Sequence, residues 1–86
     1  MRKIKIRGNI WKLKYTKELD SGTDGHCDYT DKTIRIKSNL AGRVKLETEL
    51  HEILHACFND LAESPIEESA YDLSQVLWKL GYRSKK

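Results

Sequence analysis

Between positions 46 and 61, Leu46, Leu50, Ile53, Leu54, Cys57, Phe58 and Leu61 recur at i, i+3, i+4 and i+7 spacing, the period of a helix with one buried face. Whatever fold the chain adopts must give this segment a core to lie on. The same segment contains His51-Glu52-Ile53-Leu54-His55. A helical count sets both histidines on the flank of the apolar stripe, about 100° or more from its centre, where a core helix meets a groove.

Residues four apart on a helix are separated by about 6 Å of rise and only about 40° of rotation, so the two imidazoles point the same way. Neutral imidazole is a favoured zinc ligand at roughly 2.0–2.1 Å, and two at this spacing supply half of a tetrahedral shell. Glu52 lies on the adjoining strip, placed to accept a proton from a water on the metal without being a ligand. The five residues match the H-E-x-x-H pattern of zinc-dependent peptidases. The plain alternative is a solvated helix face that happens to carry two histidines, and the apolar stripe beside them argues against it.

The remaining elements follow from period and punctuation. Lys3, Lys5 and Arg7 alternate with Ile4 and Ile6, and Lys12 and Lys14 with Trp11, Leu13 and Tyr15, the period-two pattern of strands with one buried face. Strand one is expected over roughly residues 2–7, a Gly8-Asn9 turn next, and strand two over roughly residues 10–17. Residues 20–25 read as a polar loop with two glycines, the one flexible stretch of any size. A third strand is centred on Thr33-Ile34-Arg35-Ile36 within residues 27–37. After a polar break at Ser38-Asn39, the histidine-bearing helix should begin between Leu40 and Val44 and end near Leu61. Ser64-Pro65 opens a second helix to about Leu80, stopped by Gly81. Its expected buried stripe is Ile66, Ala70, Leu73, Val76, Leu77 and Leu80. The expected class is α+β, a small three-stranded sheet followed by two helices in one domain spanning residues 1–86.

The chain of 86 residues carries a net charge of +3, which raises the possibility of a nucleic-acid partner. Lysines on the outer face of an exposed strand also discourage edge-to-edge pairing, and this explanation is preferred, leaving nucleic acid disfavoured as a partner. No run of eighteen apolar residues occurs, so no membrane partner is expected and the protein should be soluble and cytoplasmic. Two cysteines are too few for a disulfide framework. Cys57 falls on the apolar stripe as a small core residue, and Cys27 has no obvious place.

In order and in detail the chain resembles the minimal zincins of phages and prophages, related to the ImmA/IrrE-type metallopeptidases. The resemblance rests on two N-terminal strands, a strand reading Thr33-Ile34-Arg35-Ile36, and Thr48-Glu49-Leu50-His51-Glu52-Ile53-Leu54-His55-Ala56. It implies a short sheet packed on the active-site helix, one catalytic zinc held by His51 and His55, Glu52 as general base, and a peptide or protein substrate bound as an extended strand beside a sheet edge. It also implies a bacterial host cytoplasm.

A catalytic zinc takes three protein ligands and leaves a position for water. In the glutamate class of zincins the third comes from a later helix, often in an E-x-x-A pattern. Glu67-Glu68-Ser69-Ala70 fits with Glu67 leading, Glu68 is the second choice, and Glu63, Asp72, His26 and Cys27 remain open. Against Glu67, Ser64-Pro65-Ile66-Glu67 also reads as a capping box. Asn59 or Asp60 could orient a histidine ring, and Tyr29 or Tyr71 could donate a hydroxyl to substrate. Three functional classes follow: a zinc peptidase, a zinc-stabilised binding module without turnover, and a small basic nucleic-acid-binding protein.

Overall fold

In the computed structural model, which describes residues 1–17, 19 and 23–83, the period-two segments pair as expected. Strands β1 (Arg2–Ile6) and β2 (Asn9–Thr16) form an antiparallel hairpin with Ile6 opposite Asn9. The turn is Arg7-Gly8, one residue earlier than Gly8-Asn9. Both residues have positive φ, 49° and 86°, as a two-residue type I′ loop requires. Glycine adopts this conformation freely, and Arg7 is held there while its guanidinium donates to the Cys57 carbonyl at 3.0 Å.

The sheet has four strands, not three. Residues 27–37 divide into β3 (Gly25–Asp28) and β4 (Thr33–Lys37), and the spatial order is β1-β2-β4-β3. The Asp28 carboxylate accepts from the backbone N–H groups of Thr30 and Asp31 at 2.9 and 3.1 Å, an Asx turn that folds the chain back on itself. Lys32 completes the reversal with φ 50°, and because no glycine marks the site the break is hard to see in the sequence. β4 pairs parallel with β2 and antiparallel with β3. Gly25, assigned above to the polar loop, opens β3. Residues 20–22 of that loop and the terminal residues 84–86 lie outside the described residues.

One face of the sheet forms the core. Ile6, Trp11, Leu13, Ile34 and Ile36 are buried, with Ile53, Ala56 and Cys57 of helix α1 (Gly42–Cys57) among the residues packed against them. Helix α2 (Glu63–Lys79) packs on α1. The layers run sheet, α1, α2. α1 is accordingly half-buried around most of its circumference, and Glu52 is its one buried residue.

Each helix departs from expectation at one end, α1 at its C-terminus and α2 at its N-terminus. α1 stops at Cys57, where the Phe58 N–H bonds to the Leu54 carbonyl. Phe58 and Leu61 are exposed, so they do not extend the stripe. α2 begins at Glu63 with Ala62 as N-cap and no side-chain cap, so the capping box does not form. Pro65 falls within the first turn, where its missing N–H costs nothing. The buried line of α2 is Ile66, Ala70 and Ser74, while Leu73, Val76 and Leu80 are exposed. Ser74 is accommodated because Arg43 donates to its hydroxyl at 2.8 Å and the hydroxyl donates to the Tyr71 carbonyl. No helix among the described residues is long and apolar enough to cross a membrane.

Candidate metal centre

His51 and His55 stand one turn apart on α1, and their Nε2 atoms are 3.2 Å from each other. Two ligands at roughly 2.0–2.1 Å on a tetrahedral centre are separated by about 3.3 Å, so the pair already has the required bite. The third group is Glu63. Its two carboxylate oxygens lie 3.0 Å from His51 Nε2 and 2.8 Å from His55 Nε2. The three side chains offer ligand atoms within 4.8 Å of one another, and the cluster could hold a metal ion. The oxygen-to-nitrogen separations are those of hydrogen bonds, so the carboxylate has only a few tenths of an ångström to yield.

Chain geometry brings Glu63 here. Ending α1 at Cys57 leaves residues 58–62 as a short connection, closed by a Leu61 N–H to Phe58 carbonyl bond of 3.1 Å, and this returns the first turn of α2 over His55. Glu63 is at the first helical position, where a carboxylate also complements the helix dipole. Glu67, the first expectation, and Glu68, its backup, line a separate hollow with Glu47, Tyr71 and Asp72. The structure thus assembles His51, His55 and Glu63 and leaves Glu67, Glu68 and Asp72 elsewhere. The sequence did carry a signal, since Asn59-Asp60 is a helix-ending pair and Pro65 is compatible with any position of the first turn.

Glu52 points between α1 and the edge strand. It is 8% exposed, and burial holds its carboxyl above its ordinary range, with His51 and His55 opposing that rise. Its seat is tight. A Cβ on Gly25 would stand 2.9 Å from both Cγ and Oε2 of Glu52 and 3.1 Å from Thr48 Cγ2, so only glycine lets β3 pass this close to the carboxylate.

The cluster opens into a cleft of about 700 Å³ lined in part by Asp24, His26, Cys27, Thr48, Asn59 and Leu61. His26 and Cys27 border it as residues of β3, which forms one wall. Burial pushes the Cys27 thiol up to about 11, so it is protonated at neutral pH. Tyr29 also lines the cleft, but its hydroxyl donates to the His55 carbonyl at 2.9 Å, and burial raises it to about 12. Tyr71 lies instead beside Arg43, whose guanidinium carbon is 5.2 Å from the ring centre. Asn59 borders the cleft beyond the end of α1, and Asp60 is exposed in the same connection. Comparison with protein-family models, with curated proteins and with solved structures finds no match to this chain.

Proposed function

We propose that the chain is a zinc-dependent peptidase in which His51, His55 and Glu63 hold the ion and Glu52 is the general base. The observation that carries this reading is the convergence of two imidazole nitrogens and one carboxylate within 4.8 Å, with a second, buried carboxylate one residue from the first ligand. Two imidazoles and a carboxylate with an open side are the donor set of catalytic zinc. The ion, when bound, supplies Lewis acidity that activates water and polarises a carbonyl.

The chain's own residues provide the rest. Glu52 accepts the proton of the attacking water and passes it to the leaving amine, and its raised affinity for protons suits it to both halves of that transfer. β3 lies at the edge of the sheet and forms the cleft wall beside Glu52, so an extended peptide segment can add to it by backbone hydrogen bonds and present a carbonyl to the site. Tyr29 steadies the last turn of α1 through the His55 carbonyl.

Glu52→Gln tests the base directly. Peptide cleavage should fall by at least about a thousandfold, as expected when a proton-transfer group is lost, while zinc binding by calorimetry stays one-to-one. Cleavage that survives the substitution would remove the mechanism. Absence of cleavage by the wild type on any peptide library, with zinc bound, would favour a zinc-stabilised binding module.

A further inference from the structure

Among the described residues both helices lie on one side of the sheet and no helix packs on the opposite face, where Lys3, Lys5 and Lys12 are exposed and Lys14, Arg35 and Lys37 are half-buried. Alternation from the buried residues Ile6, Trp11, Leu13, Ile34 and Ile36 assigns Lys3 and Lys5 of β1, Lys12 and Lys14 of β2, and Arg35 and Lys37 of β4 to that open face. Among the described residues its acidic member is Asp28 of β3, whose carboxylate is engaged in the turn that follows. No salt bridge among the described residues reaches any of the six cations.

Protection of a sheet edge accounts for lysines on β1 but not for the others. β2 and β4 are the two central strands, and a central strand has no free edge to protect. The register makes the charge costly as well: Lys3 is directly opposite Lys12, and Lys14 is directly opposite Arg35. Like charges in such pairs are destabilising. Meanwhile the carboxylates gather on the far side, where α1 and α2 together carry Glu47, Glu49, Glu52, Glu63, Glu67, Glu68 and Asp72 against Arg43, Lys45 and Lys79. The molecule is therefore polarised, with a cationic sheet face and an acidic helix layer. Such a field orients an approaching polyanion toward the sheet.

We infer that the open sheet face is a docking surface for the phosphate backbone of double-stranded DNA. Three rows of cations span about 10 Å across the strands and recur about every 6.8 Å along them, a scale that matches the roughly 12 Å major groove and the phosphates that border it. Single strands are held by stacking on aromatic side chains, and among the described residues the strands present none on this face; Trp11 and Tyr15 project to the core side. Among the described residues of the strands, Ile10 is the one large apolar side chain it exposes, at 57%, which is too little for insertion into a lipid surface. Without groups that read base edges, binding is independent of sequence and driven by counterion release. This surface is separate from the metal cluster and does not depend on the peptidase reading.

The test is fluorescence anisotropy of the full chain with a labelled DNA duplex of about 20 base pairs, titrated at several salt concentrations between about 50 and 200 mM. Engagement of five or so phosphates predicts a slope of log K against log salt of about −4 to −5. The double variant Lys12→Gln/Lys14→Gln should bind at least roughly tenfold more weakly, with the slope shallower by about 2. Its melting temperature should be unchanged or higher, because two like-charge pairs are relieved, and this excludes unfolding as the cause. Chelator should leave DNA binding unaltered. The inference is overturned by a flat salt dependence, by a variant that binds like wild type, or by tighter binding to single strands, duplex RNA, polyglutamate or phosphatidylserine vesicles than to duplex DNA.

Discussion

At the scale of single residues, the site depends on one carboxylate and one missing side chain. Glu63 and Glu67 are a helical turn apart with very different surroundings, so alanine at each discriminates between them. Glu63→Ala should weaken zinc binding by more than the roughly 10–100-fold typical of an outer-shell partner, whereas Glu67→Ala should leave it unchanged, both read by competition with a chromogenic chelator. Gly25→Ala places a methyl group 2.9 Å from Glu52 Oε2, and the carboxylate must shift. The expected result is zinc affinity within about threefold of wild type and a fall in kcat of roughly a hundredfold, the scale attached to misplacement of a catalytic group by an ångström. Equal losses in both quantities would mean that Gly25 serves the fold and not the base. The juxtaposition of His51, Glu52 and His55 was legible because it follows from spacing on one helix. The approach of Glu63 to the two imidazoles was only one of several alternatives, because it depends on where a different helix begins.

At the scale of elements, the distance between α1 and α2 controls the centre. Ala70 is completely buried on the inner line of α2, where a larger side chain has no room. Ala70→Leu should cost about 1–3 kcal/mol of stability by overpacking and, by displacing α2, should also weaken zinc binding. Denaturant titration and calorimetry on the same variant check the two effects together. Helical period located both helices, yet it overran α1 by four residues, since Phe58 and Leu61 continue the apolar spacing while standing exposed. In α2 the apolar count favoured Leu73, Val76 and Leu80, but α2 is the outermost layer and packs chiefly on α1. That neighbour selects Ile66, Ala70 and Ser74.

At the scale of the whole molecule, a chain of this length has a small core and would gain from a bound ion. Zinc at about a hundred times its Kd should add about 2.7 kcal/mol, which for a domain of this size raises Tm by roughly 10–20 °C, and chelator should reverse the shift. Scanning fluorimetry reads both. In the metal-free protein, burial of Glu52 raises its affinity for protons in the folded state. Its stabilising contribution is therefore fully present below the unfolded value of 4.5 and fades as pH rises through the raised folded value. Glu52→Gln should remove this dependence and leave the metal-free protein more stable than wild type near neutral pH, since a neutral amide costs less to bury than a carboxylate.

The local rules written into the chain were enough for an α+β order of strands and two helices, for the alternating faces of β1 and β2, and for two imidazoles on one helical strip, because each depends on neighbours within a turn or a pleat. Tertiary structure alone decided that residues 27–37 make two strands, that β2 and β4 are central and so carry their lysines on an open face, and that Glu63 meets the histidines. Those outcomes turn on a non-glycine residue at positive φ, on strand order, and on where a short connection releases the next helix. None of them has a period, and a linear pattern records only what repeats.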